Sequence, residues 1–175
     1  MMKIRFNPFE DRTDRDVRNF LGSAFVGALH KGDPAPVVQA ISKLGQKTLP
    51  DPAQRYIKAR YDQYSGVLTQ IFADPLLGAD IYAVASLLWD EALFFECHEW
   101  LEQNYRAVKG QEKKVLQAMI RTAGTFELLT YDRKRAAVSV AAKALSVLES
   151  DFSQVPESFK IQPKMTRLKA VIKNA

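Results

Sequence analysis

Apolar residues recur three or four positions apart along most of this sequence. One such row consists of Ile57, Tyr61, Tyr64, Leu68 and Ile71. Because an α-helix makes one turn in about 3.6 residues, this spacing places the row on a single helical face. No segment alternates apolar and polar residues long enough to predict a β-strand, and no Asn-Gly or Asp-Gly pair suggests a hairpin turn. The pattern therefore predicts an all-α protein.

Proline, glycine and aspartate divide this pattern into about seven or eight helices. Asp33-Pro34 and Asp51-Pro52 each offer a helix N-cap followed by proline in the first turn, and Thr13 followed by Asp16 resembles a capping box. Asp74-Pro75 is expected to end the third helix, with a loop through Gly78. The predicted helices cover residues 13–31, 34–44, 51–73, 80–89, 94–108, 111–130, 132–150 and 164–173.

Short connections predict that successive helices pack as antiparallel pairs in one bundle. We expect a single domain over residues 1–175, with a core at 80–150. Residues 1–79 would be accessory N-terminal helices, and 151–175 a basic tail containing a short helix. The pairs 80–108 and 111–150 are similar in length, which predicts tetratricopeptide-like hairpins in the C-terminal half.

Composition favours a soluble globular protein, since 47% of residues are apolar and 26% are charged. Cys97 is the single cysteine, which excludes an intrachain disulfide and any multi-cysteine zinc site. The N-terminus is charged where a signal peptide would be apolar, and no apolar run is long enough to cross a bilayer. We therefore expect a cytoplasmic protein without a membrane partner.

The densest chemistry lies in residues 94–102, Phe-Phe-Glu-Cys-His-Glu-Trp-Leu-Glu. On a helix, the centre of the buried face would consist of Phe94, Cys97, Leu101 and Tyr105. His98 and Glu102 would lie one turn apart at the border of that face, close enough for their side chains to touch. Glu102 and Arg106 have the same spacing. A polar group is therefore predicted at the edge of the core.

This spacing has two interpretations. His98-Glu99-x-x-Glu102 resembles a helical zinc motif in which glutamate replaces the second histidine, so His98 and Glu102 could bind a divalent metal while Glu99 activates water. Alternatively, Glu102 accepts hydrogen bonds from His98 and Arg106, and this network fixes how neighbouring helices dock; sealing of His98 from solvent would show that it is structural. Glu102→Ala would then cost about 1–3 kcal/mol. We expect the network, with no bound metal, no cofactor and no enzymatic activity.

The next helix adds further candidates for a polar cleft. Glu127 continues an apolar row, so it would either contact His98 or Arg106 or extend into water from the helix end. Small residues at 123–124 would permit close helix approach. The predicted cleft consists of Glu96, His98, Glu99, Glu102, Arg106, Gln117, Arg121 and Glu127, with His98 and Glu99 as the catalytic candidates.

Basic residues cluster near the C-terminus, and their charge could attract phosphate or an acidic partner. They are Lys160, Lys164, Arg167, Lys169 and Lys173. No zinc-finger spacing, aromatic strand signature or recognition helix accompanies them. We therefore expect a solvated basic tail, and nucleic-acid association is the third of three functional hypotheses.

Residues 80–150 resemble the family called domain of unknown function 309. The resemblance rests on residues 94–102, Gly110-Gln111-Glu112, Leu116-Gln117 and Ala136-Ala137. It implies an all-helical, tetratricopeptide-like bundle without an established activity, and a polar signature of Glu96, His98, Glu99, Glu102 and Gln117. Three departures matter: Ala118 replaces glycine, Arg121 replaces glutamine, and Glu127-Leu128 replaces a Tyr-His pair. The missing histidine and the added arginine argue against a metal.

These observations favour a small cytoplasmic binding or scaffolding module with a His/Glu cleft. Its partner would be an unidentified protein or small molecule, and a homodimer is compatible with the sequence. The first alternative is a metal-dependent hydrolase using His98, Glu99 and Glu102.

Overall fold

The computed structural model describes residues 5–174, and these fold into nine α-helices without a β-strand. The helices are α1 (Arg12–Lys31), α2 (Ala35–Gly45), α3 (Asp51–Ala73), α4 (Pro75–Ala79), α5 (Ile81–Asp90), α6 (Phe94–Tyr105), α7 (Gly110–Thr130), α8 (Lys134–Ser150) and α9 (Ile161–Lys173). Single 3₁₀ turns at Phe152–Gln154 and Glu157–Phe159 connect the last two. The prediction of an all-α helical bundle is confirmed.

The chain divides into two compact units, the first ending at Gly78 and the second beginning at Ala79. This boundary lies one residue from the predicted border between the accessory helices and the core. The organisation of both parts as one domain stays a prediction. No helix within the described residues is both long and apolar enough to cross a membrane.

In unit 1, α1 packs against α2 and α3. Its N-cap is Asp11, whose side chain accepts the Asp14 backbone N–H at 3.0 Å, so the predicted capping role of Thr13 is wrong. Gly32 ends the helix at φ 63°, a left-handed conformation in which glycine carries no steric penalty. Phe25 packs against Tyr64 in the core, with the rings tilted by 37° and their centroids 4.4 Å apart.

Helix α4 was predicted as a loop, and that prediction is wrong. The Asp74 carboxylate accepts the backbone N–H groups of Leu76 and Leu77 at 3.0 and 3.1 Å. An aspartate and the following proline therefore start a one-turn helix here as well as ending α3. So short an element has no apolar row of its own and gives no periodic signal.

In unit 2, α7 is the central helix and packs against both α6 and α8. Helix α5 packs on α6, and α9 packs on α8. Ala92, at φ 55°, turns the chain between α5 and α6, and the Leu93 N–H donates to the Leu88 carbonyl at 2.8 Å. Helix α6 ends at Tyr105, three residues before the predicted end. Short connections thus give the predicted sequential packing.

The C-terminal segment is folded onto unit 2 rather than extended. Helix α9 begins at Ile161, before the predicted start at Lys164, and its inner residues include Ile161, Met165 and Leu168. The Arg167 guanidinium lies 4.4 Å from the ring centroid of Phe126, and 5.3 Å from that of Trp89. The two rings pack edge to face at 4.6 Å. This aromatic cluster fixes α9 against α5 and α7.

Candidate functional site

Helix α6 separates a buried face from a polar one. Phe94, Cys97 and Leu101 are buried as predicted, while Tyr105 is half-buried. His98, Glu99 and Glu102 lie beside this buried face, toward solvent, and form what we call the α6 polar face. His98 Nε2 lies 3.1 Å from Glu102 Oε2, and one ligand atom from each of the three residues lies within 4.8 Å of the others. The i, i+4 spacing therefore brings a histidine and two carboxylates together.

Helix α7 faces the α6 polar face through a glycine. A Cβ built on Gly124 would lie 3.7 Å from His98 Nδ1, so the imidazole packs close to the α7 backbone. Arg121 and Gln117 follow at one and two turns from Gly124, on the same side of α7, and both are half-buried. Gly124 therefore brings this side of α7 beside the α6 polar face at His98.

The α6 polar face is open to solvent. The His98 side chain is 33% exposed and that of Glu102 is 59% exposed. Arg106 lies at the C-cap of α6, and no ion pair within 4 Å joins it to Glu102 among the residues that the structure describes. The condition set for a structural network, a His98 sealed from solvent, is therefore not met.

Comparison with known proteins bears on the segment that carries this face. The family model described as "Domain of unknown function (DUF309)" matches residues 82–140. Over these residues the chain is therefore similar to that family. The match confirms the resemblance on which the sequence interpretation rested. No curated protein and no solved structure matches the chain.

Two other predicted cleft residues in the matched segment are buried. Glu96 is fully buried, and Glu127 is 6% exposed. Both have interactions with neighbouring groups, and neither belongs to the group of converging ligand atoms on the α6 polar face. The alternative in which Glu127 extends into water from the helix end is therefore wrong. Placing Glu96 in an open cleft fails because its side of α6 also carries Trp100, which donates to the Ile81 carbonyl at 2.9 Å.

Cys97 is a core residue without nucleophilic character, as its position on the helix predicted. Its Sγ donates to the Ala85 carbonyl at 3.3 Å. Complete burial raises the pKa of the thiol to about 12, with the nearby Lys164 acting in the opposite direction. The thiol therefore stays protonated near neutral pH and lacks the thiolate that catalysis or metal binding requires.

A second polar site, around Lys164, was not predicted from the sequence. The Lys164 ammonium, 1% exposed, donates to Ser86 Oγ at 3.0 Å and to the carbonyls of Phe159 and Lys160 at 2.9 and 3.4 Å. Asp90 Oδ1 lies 4.0 Å away. Burial lowers the pKa of Lys164, and the Asp90 carboxylate opposes that shift. We call this arrangement the Lys164 site.

The Lys164 site changes the interpretation of the basic C-terminus. Lys164 was predicted to lie in a solvated basic tail, and that prediction is wrong because its ammonium is buried and bonded inside the protein. Lys169 pairs with Glu149 at 2.8 Å. The sequence did hold a signal for this, since Lys164 interrupts the apolar row from Ile161 to Leu168 much as Glu127 does on α7.

Proposed function

We propose that this protein is a binding module whose ligand site is the α6 polar face, and that the ligand is a divalent transition-metal ion. One observation carries the proposal: three ligand atoms converge within 4.8 Å on a face that solvent reaches. An imidazole and two carboxylates are the donors that zinc and manganese accept in proteins. Three protein ligands would leave a position for water or for a partner's group.

The facing helix tunes this site. Arg121 lies about 4.5 Å along α7 from Gly124, and Glu102 about 6 Å along α6 from His98, given the helical rise per residue. Because α6 and α7 are consecutive helices joined by a short connection, they run in opposite directions and bring Arg121 toward the level of Glu102. A guanidinium there weakens cation binding, so we expect moderate affinity that rises in Arg121→Gln.

A calorimetric titration of the purified chain with zinc or manganese chloride tests the proposal. We expect one ion per chain, and binding at least tenfold weaker in His98→Ala. His30→Ala is the matched control, since His30 is the other histidine and lies exposed on α1. The control should bind within twofold of the parent. Equal binding by both variants, or none by the folded parent, would overturn the metal proposal.

The same face supports a second candidate, a metal-dependent hydrolase. The Glu99 carboxylate lies within 4.8 Å of the ligand atoms of His98 and Glu102, where it could take the proton of a metal-bound water. Glu99→Gln would then keep a bound ion and lose turnover of p-nitrophenyl phosphate or acetate. Absence of turnover by the metal-loaded parent would exclude the hydrolase and leave the binding module as the proposal.

The wider setting of the module is also a proposal. Sequential antiparallel packing of α5 to α8 supports a tetratricopeptide-like arrangement, and the composition supports a cytoplasmic location. Nucleic-acid association is less favoured than the sequence suggested, because Lys164 is buried and Lys169 is paired. A bound ion could serve as the contact point for a protein partner, including a second copy of this chain.

A further inference from the structure

A cavity of about 600 Å³ lies in unit 2 where the end of α7, the start of α8 and the end of α9 meet. Its lining residues are Leu129, Lys134, Arg135, Val138, Val171 and Asn174. This volume falls within the roughly 300–1,000 Å³ that small-molecule sites occupy. The cavity shares no residue with the α6 polar face or with the Lys164 site.

One part of the lining is cationic. Lys134 and Arg135 are the first two residues of α8, whose N-terminus carries the partial positive charge of the helix dipole. None of the residues in that first turn is acidic, and the described residues supply no side-chain cap. Asp132, just before the helix, has interactions of its own. Helices usually place acidic residues at this end, so two cations here create a local excess of positive charge that an anion would relieve.

The other part of the lining is apolar. Leu129, Val138 and Val171 come from three different helices, and each is half-buried, with surface still available for contact. An inorganic anion would leave this surface unused, and a neutral hydrocarbon would leave the two cations unused. The lining therefore complements a molecule that has an anionic group at one end and an apolar body behind it.

We propose that this cavity binds a small anionic amphiphile, a carboxylate with a linear apolar chain. The carboxylate would lie beside Lys134, Arg135 and the backbone N–H groups of the first α8 turn. The chain would cover Leu129, Val138 and Val171. Ion pairing and apolar burial then both contribute to affinity, and neither part of the molecule suffices alone.

Calorimetric titration with decanoate, kept below its micelle concentration, tests this site in the full chain. We expect one decanoate per chain. Acetate, which keeps the head, and decyltrimethylammonium, which keeps the chain with the opposite charge, should each bind at least tenfold more weakly. Equal binding of the cationic amphiphile would indicate general surface adsorption and overturn the proposal, as would equal binding of acetate or no binding of decanoate.

Two variants locate the binding. The double variant Lys134→Ala/Arg135→Ala should weaken decanoate binding at least tenfold and still fold, because removing cations from a helix N-terminus favours the helix. Val138→Asp, which places a negative charge on the apolar wall, should weaken it as well. Lys143→Ala is the matched control, being exposed on the same helix but outside the cavity, and should bind within twofold. Unchanged affinity in the double variant would place decanoate elsewhere and overturn the assignment.

Discussion

The Lys164 site and the α6 polar face both contain ionisable side chains within unit 2, but they differ in how far solvent reaches those side chains. Around Lys164, three oxygens accept from an ammonium that is 1% exposed. On the α6 polar face, His98 and Glu102 bond to each other and keep 33% and 59% of their side-chain surface in contact with solvent. Ionisable side chains are thus buried at the Lys164 site and exposed on the α6 polar face.

The difference separates a structural role from a binding role. A buried charge is costly unless its hydrogen bonds are made within the protein, so the Lys164 site has no capacity left for a ligand. Groups that solvent reaches carry little of that cost and can still bond to a ligand. Removing Lys164 should therefore affect stability, whereas removing a residue of the α6 polar face should affect binding.

The largest effect is expected from Lys164→Met. The variant leaves Ser86 Oγ and the buried Phe159 carbonyl without their donor, so the free energy of unfolding should fall by about 1–3 kcal/mol. Urea unfolding followed by circular dichroism measures this. Lys169→Met is the control, because the Lys169–Glu149 pair is about half exposed and should contribute no more than about 0.5 kcal/mol. An unchanged or higher stability of Lys164→Met would contradict a structural role.

The pH dependence of that difference should have a definite sign. Burial lowers the pKa of Lys164 below its ordinary 10.5, so between the two pKa values the unfolded chain holds more protons than the folded one. As pH rises through this window, the parent should gain stability relative to Lys164→Met, by at most about 1.4 kcal/mol per pH unit. Unfolding of both proteins at matched pH values tests this. A difference that narrows on approach to pH 10.5 would contradict it.

Gly124→Ala should stabilise the protein, and it also tests the contact between α7 and His98. Its Cβ would meet His98 Nδ1 at 3.7 Å, an ordinary contact distance, and alanine in a helix is favoured over glycine by about 0.5–1 kcal/mol. Thermal unfolding should show the gain, and Gly66→Ala on α3, with nothing within 4 Å, should show a similar one. A loss of stability in Gly124→Ala but not in Gly66→Ala would mean that the His98 imidazole cannot move away from the added methyl group.

The smallest effect on stability is expected from Glu102→Ala. The side chain is 59% exposed and its bond to His98 is an exposed i, i+4 pair, so the loss should stay below about 0.5 kcal/mol. The same variant should weaken metal binding at least tenfold if the α6 polar face binds an ion. A stability loss of about 1–3 kcal/mol would instead support the structural network that the sequence first suggested.

Much of the fold and part of the site could be predicted from the sequence because both depend on local spacing. Apolar rows identify long helices, and the step from His98 to Glu102 places those groups side by side on any helix. What a single row does not report is which neighbouring element covers each side of it. Glu96 was assigned to the cleft for that reason, although packing on its side of α6 buries it completely.

Tertiary partners distant in the sequence account for most of the remaining gaps. Lys164 bonds to Ser86, which lies 78 positions earlier, and no local pattern joins the two residues. The cavity beside Lys134 requires the ends of three helices to meet. Even so, the lysine in the apolar row of α9 was a usable signal, because a charged residue on a buried row needs a partner. The reasoning that was applied to Glu127 would have identified Lys164 as well.

The position of the aromatic cluster gives the protein an optical property. Both tryptophans of the chain, Trp89 and Trp100, lie in unit 2, where one packs against Phe94 and Phe126 and the other donates its indole N–H to Ile81. Unit 1 contains tyrosines but no tryptophan. Selective excitation of indole therefore reports the unfolding of unit 2 alone. Comparing its fluorescence transition with the loss of helical ellipticity will show whether the two units melt in one step or two.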